Sequence, residues 1–148
     1  MNLAAILRRT ASTTLSVGVI NADATRPRRL EWYDIVVGSE AAAADNPFLW
    51  VFQRCTAAGT STAVALQKLD PADAATEQDA GQNHTVEPTY TANEILLDIP
   101  LNQRATFRWI ATEGGRIVSP ATASNGVGIQ TPVSSALVVT ATIHVTER

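Results

Sequence analysis

Leu137-Val138-Val139-Thr140-Ala141-Thr142-Ile143-His144-Val145-Thr146 is the stretch whose reading decides the fold. Its apolar residues recur every second position: Leu137, Val139, Ala141, Ile143 and Val145 on one side, Val138, Thr140, Thr142, His144 and Thr146 on the other. A helix would scatter the first set around its surface, whereas a strand gathers it on one buried face. The same period runs through Ile95, Leu97, Ile99 and Leu101, and through Phe107, Trp109 and Ala111. Leu15, Val17 and Val19 predict another strand, and Val64 with Leu66 a shorter one.

Two further runs are apolar at both parities. Leu30, Trp32 and Val36 alternate with Tyr33, Ile35 and Val37, and Phe48, Trp50 and Phe52 with Leu49 and Val51. Strands of this kind are covered on both sides or offer one apolar face to a partner. Between the runs lie turn signals at Asn46-Pro47, Ala58-Gly59, Gly114-Gly115 and Asn125-Gly126, the third expected to join a strand ending near Glu113 to Arg116-Ile117-Val118. One helix is expected after Asp70, an N-cap followed by Pro71 at the first helical position, with Gly81 as its stop. The sum predicts an all-β chain: an antiparallel β-sandwich or jelly roll with one short helix in a crossover. Residues 1–13 are expected to form an N-terminal arm, and 14–148 a single domain.

The chain has 148 residues, of which 17% are charged, below the average of about 25% for soluble domains. So little charge favours burying surface against partners. Lys68 is the sole lysine against ten arginines, a bias that suits interfaces and that a GC-rich coding sequence also produces. Residues 1–30 carry Arg8, Arg9, Arg26, Arg28 and Arg29 against Asp23 alone, while 31–98 carry eleven acids against Arg54 and Lys68. A basic end and an acidic middle pair within one chain or between copies.

The net charge of −3 argues against a nucleic-acid partner. Cys55 is the only cysteine, so no intrachain disulfide forms, and its place in an apolar run predicts a buried thiol. No run is long enough for a membrane span, and the order of charge and apolar residues at the N-terminus is wrong for a signal peptide, so synthesis and residence in a cytoplasm are expected. His84, His144 and Cys55 are too dispersed in sequence for a zinc signature, and no nucleophile-elbow or phosphate-loop motif is present. The acids Asp70, Asp73, Glu77 and Asp79 lack EF-hand spacing. Binding and assembly are thus expected rather than catalysis, with no cofactor and no metal. His144, on the polar side of its strand, is expected to be simply solvated. Leu3, Ile6 and Leu7 with Arg8 and Arg9 in the arm, together with Arg26, Arg28 and Arg29, are the candidate assembly contacts.

Three segments carry a family resemblance: Glu31-Trp32-Tyr33-Asp34 through Asp45-Asn46-Pro47-Phe48-Leu49-Trp50 to Gln53-Arg54-Cys55-Thr56-Ala57-Ala58-Gly59-Thr60; Asn83 to Tyr90; and Leu101 to Trp109. They resemble small proteins encoded among the head genes of tailed bacteriophages, over most of residues 30–146. The resemblance implies a virion component, in the first place a capsid decoration (cement) protein. As such it would be a trimeric β-sandwich on the outer capsid surface, with the major capsid protein as its partner. Other virion parts of the neck, tail or fibre base, and a carbohydrate-binding sandwich module, are the alternatives.

Overall fold

A computed structural model describes residues 1–133 and 137–148 of the chain. Among these, twelve strands follow in order: β1 (Asn2–Thr10), β2 (Gly18–Asn21), β3 (Leu30–Ala41), β4 (Pro47–Ala57), β5 (Thr60–Val64), β6 (Gln67–Lys68), β7 (Asp79–Val86), β8 (Thr89–Asn102), β9 (Phe107–Ile110), β10 (Ile117–Ser119), β11 (Gly126–Val133) and β12 (Val138–Glu147). One sheet has the order β10-β3-β12-β1-β6, with β9 also on β3; the other has the order β5-β7-β2-β11-β4-β8. Every pairing is antiparallel. The two sheets pack face to face as a β-sandwich around one apolar core.

β12 alternates as its sequence demands, with Val139, Ala141, Ile143 and Val145 fully buried and the intervening residues half-exposed. β3 does something the alternation alone does not reveal. Its buried apolar residues are Leu30 and Trp32, then Ile35 and Val37, a change of parity. The register against β12 pairs Trp32 with Val145 but Asp34 with His144, so Tyr33 is an extra residue in a β-bulge. The bulge returns the strand to phase, and what reads as a strand apolar on both sides is one inner face interrupted once.

The N-terminal segment is no arm. Residues 2–10 form β1, which lies inside the first sheet between β12 and β6. Leu3, Ala5 and Leu7 are completely buried. The second sheet approaches this strand so closely that a Cβ on Gly18 would stand 2.6 Å from Leu7 Cδ1. The apolar residues near the terminus do need a surface to cover, and that surface is their own domain's core. The segment was too rich in arginine and too near the chain end to stand out as a strand.

The expected helix is also absent. Asp70 acts locally as foreseen, since its Oδ1 accepts from Ala72 N and its carbonyl from Asp73 N, but this closes a single turn. Lys68 Nζ donates to the Pro71 and Asp73 carbonyls of that turn. From Asp79 onward the chain is extended because β7 fills the place between β5 and β2, with Ala80 in the core. Helix nucleation is costly, and one capped turn with no apolar stripe to bury does not offset it.

Gly114-Gly115 joins no hairpin. β9 and β10 both pair with the same edge of β3, opposite Val37 to Asp34 and Trp32 to Leu30 respectively, and Ala111 N continues the row by donating to Tyr33 O. They are one edge strand from which residues 112–116 loop out, with Gly114 at φ +77° turning the loop.

Candidate interaction face

The outer face of the first sheet takes its composition from the polar parity of four strands. Cross-strand pairing lays down one row of Ile6, Thr142, Val36 and Arg108, and a second of Ala4, His144, Asp34 and Ile110. Asn2, Thr146 and Glu31 continue the surface beyond the second row, with Val118 of β10 opposite Glu31. Such rows bring side chains four to six ångströms apart, close enough to pair across strands.

Asp34 is the hub. Its side chain is only 8% exposed and takes a bidentate pair from Arg108, Nε to Oδ1 at 2.9 Å and Nη2 to Oδ2 at 2.8 Å. His144 Nδ1 lies 3.2 Å from Oδ2. The Arg108 hydrogen bond, opposed by burial and aided by His144, holds the Asp34 carboxyl below the usual carboxylate range. Tyr33, carried outward by the bulge, stacks on His144 with ring centroids 6.0 Å apart, and the Arg116 guanidinium lies 5.7 Å from the Tyr33 ring centroid. Burial and the Asp34 charge push the Tyr33 hydroxyl up. His144 is therefore a paired and stacked member of this surface, not a solvated residue. On either side of the charged centre stand Ile6, 47% exposed, and Ile110, 58% exposed.

The arrangement fixes charge and shape at a surface. Thr142 and Thr146 are the hydroxyl residues flanking His144 on β12. The imidazole atom whose position is fixed, Nδ1, is turned to Asp34.

The candidate assembly residues separate into three groups. Leu3 and Leu7 are fully buried in the core. Ile6 alone among the apolar three reaches the outer face. The arginines are engaged within the chain: Arg8 with Glu40, Arg26 with Glu77, Arg28 with Glu147 and Arg29 with Glu31. Arg9 donates to the Ser16 and His84 carbonyls and so ties β1 to the second sheet. Arg8, Arg26 and Arg29 of the basic end thus meet the acidic middle inside one chain, while Arg108, Arg116, Ile110, Tyr33, Asp34 and His144 form a face that the sequence did not mark as a contact site. Only the bulge, a tertiary feature, aligns them.

Beside Arg9 sits a partly buried polar network. Glu87 accepts from Ser16 N and, at 2.8 Å, from Ser16 Oγ, which is also 2.6 Å from the Tyr90 hydroxyl. His84 is fully buried; its Nε2 is 3.0 Å from Ala58 O, and its Nδ1 finds no partner among the described residues. Burial pushes its pKa down, so the ring is neutral and Nε2–H donates. An open groove of about 500 Å³ between β4, β8 and β10 is lined by the Arg54–Glu94 pair and Cys55. Burial pushes the Cys55 thiol up to about 11, which keeps it protonated and unreactive. Among the described residues no three His, Cys, Asp or Glu side chains gather to hold a metal ion.

No protein-family model, no curated protein and no solved structure matches this chain.

Proposed function

We propose that the chain is a structural assembly module that docks through the outer face of its first sheet. Combined with the resemblance to head-gene proteins, the reading is a tailed-phage virion component, in the first place a decoration protein on the outer capsid surface. The observation that carries the docking reading is the pair of exposed isoleucines, Ile6 and Ile110, standing on either side of the clamped Asp34–Arg108–His144 centre. An interface core of this type combines desolvated apolar contact with preordered charge, and arginine and tyrosine are enriched there. Holding Arg108 and His144 on Asp34 in advance reduces the ordering cost of association.

In this reading the major capsid protein is the partner, and the module associates as a homotrimer. Repeated copies then multiply modest contacts across capsid seams by avidity, so no single residue carries the attachment. Mass spectrometry of purified virions, with the density of this chain located by cryo-electron microscopy, tests the assignment. The chain placed on the outer shell supports it; a position in the neck or tail replaces it with another virion role.

A further inference from the structure

Three arginines meet on one carboxylate beside the loop-out of the β9–β10 edge. Arg29 Nε lies 3.2 Å from Glu31 Oε1, while Arg116 Nη1 and Arg148 Nε each lie 3.1 Å from Oε2. Glu31 is largely buried, and burial pushes its carboxyl up, but the hydrogen bonds from Arg148, Arg116 and Arg29 outweigh this and leave it ionised below the usual range. The guanidiniums line an open pocket of about 340 Å³, whose remaining walls are Glu113, Gly114 and Val118.

The positions are built rather than incidental. Arg148 N donates to Arg29 O, which sets those two residues side by side at the end of the β3–β12 pairing. Arg116 rests over the Tyr33 ring. A guanidinium has five N–H donors in a fixed fork, and Glu31 occupies one on each arginine through the bonds given above, so most of the donors remain for other acceptors. Three guanidiniums thus converge on Glu31 at one wall of a concave site, while Glu113 at its rim is bonded to none of them. Like charges held this close are mutually unfavourable, and an incoming anion relieves them.

We infer that this pocket is an oxyanion-binding site, and that its ligand is a phosphoryl group, either free phosphate or a phosphate monoester. A tetrahedral, multiply charged oxyanion accepts from several guanidinium forks at once, and Arg–phosphate pairing is frequently bidentate. Glu31 serves as the preorganising anchor that draws the three side chains together. Glu113, at the rim on the Gly114 loop, opposes an entering anion. The inference does not depend on the virion reading.

The test is calorimetric titration of the full chain with inorganic phosphate and separately with glycerol phosphate, at constant ionic strength against chloride. Saturable binding of phosphate that weakens roughly tenfold or more in Arg116→Gln supports the site. Binding of both ligands assigns it to the phosphoryl group in general, and binding of phosphate alone to the free ion. A second variant separates this from a purely structural ion-pair cluster: Glu113→Gln, on the exposed loop, leaves the melting temperature unchanged and tightens phosphate binding severalfold. No saturable heat with either ligand, or affinity indifferent to both substitutions, overturns the inference.

Discussion

Asp34 and His144 stand directly opposite each other on neighbouring strands, and the imidazole Nδ1 lies 3.2 Å from the carboxylate that Arg108 already clamps. The pairing exists because Tyr33 is bulged out of the ladder. Without that extra residue the polar parity of β3 would not meet the polar parity of β12 past Trp32.

Asp34→Asn keeps the shape of the hub and removes its charge. The Asp34 carboxyl is depressed in the folded chain, so its contribution is present above the ordinary carboxylate pKa of about 4 and is lost as pH falls through the lower folded value. The variant melts below the parent at pH 7, and the gap closes under acid conditions. Thermal melts across pH 2–7 check this, and a gap that persists at the acid end contradicts it.

Burial of a neutral His84 gives the opposite kind of group the same sign. Its folded pKa lies below the unfolded value near 6.5, so the unfolded chain binds the extra proton as pH falls, and stability declines from about pH 6.5 downward. His84→Gln cannot take up that proton. Between pH 7.5 and 5 the variant therefore loses less melting temperature than the parent, whatever its absolute stability.

Ile143 is fully buried on the inner parity of β12, and Ile143→Ala costs about 2–5 kcal/mol in urea unfolding. Thr142→Ala, one residue away on the outer face, changes stability by roughly 0.5 kcal/mol or less. Equal losses at the two sites would contradict the assigned facing.

Deletion of residues 2–10 removes an interior strand and with it Leu3, Ala5 and Leu7. The truncated chain loses cooperative unfolding altogether, and the milder Leu7→Ala costs about 2–5 kcal/mol. Circular dichroism melts distinguish this from a dispensable tail, whose removal would leave the transition in place.

Much of this was legible in the sequence, and the rest was hidden for identifiable reasons. The strict alternation from Leu137 to Thr146 gives β12 its facing outright, because nothing interrupts the period. Phe107 and Trp109 keep the inner parity they show on paper and Ile110 the outer one, yet Phe107 is exposed because β9 is an edge strand, and edge position is set by topology. Ile95 departs from the inner row of Leu97, Ile99 and Leu101 at a register shift opposite Phe52 and Gln53. β1 was obscured because Arg8 and Arg9 break the look of an apolar strand. The Asp70 turn carries authentic helix-start chemistry, which a single turn uses equally well. The interaction face was least visible: Asp34 and His144 are 110 residues apart in sequence, and only the Tyr33 bulge brings them into register.

The central claim is that the outer face of the first sheet docks the module, and co-sedimentation with undecorated phage heads tests it most directly. The double variant Ile6→Asp and Ile110→Asp, at two exposed sites, is compared with the parent at matched melting temperature. The account predicts that the parent pellets with the heads and the variant stays in the supernatant. Equal attachment of both would contradict it and move the contact surface elsewhere on the sandwich.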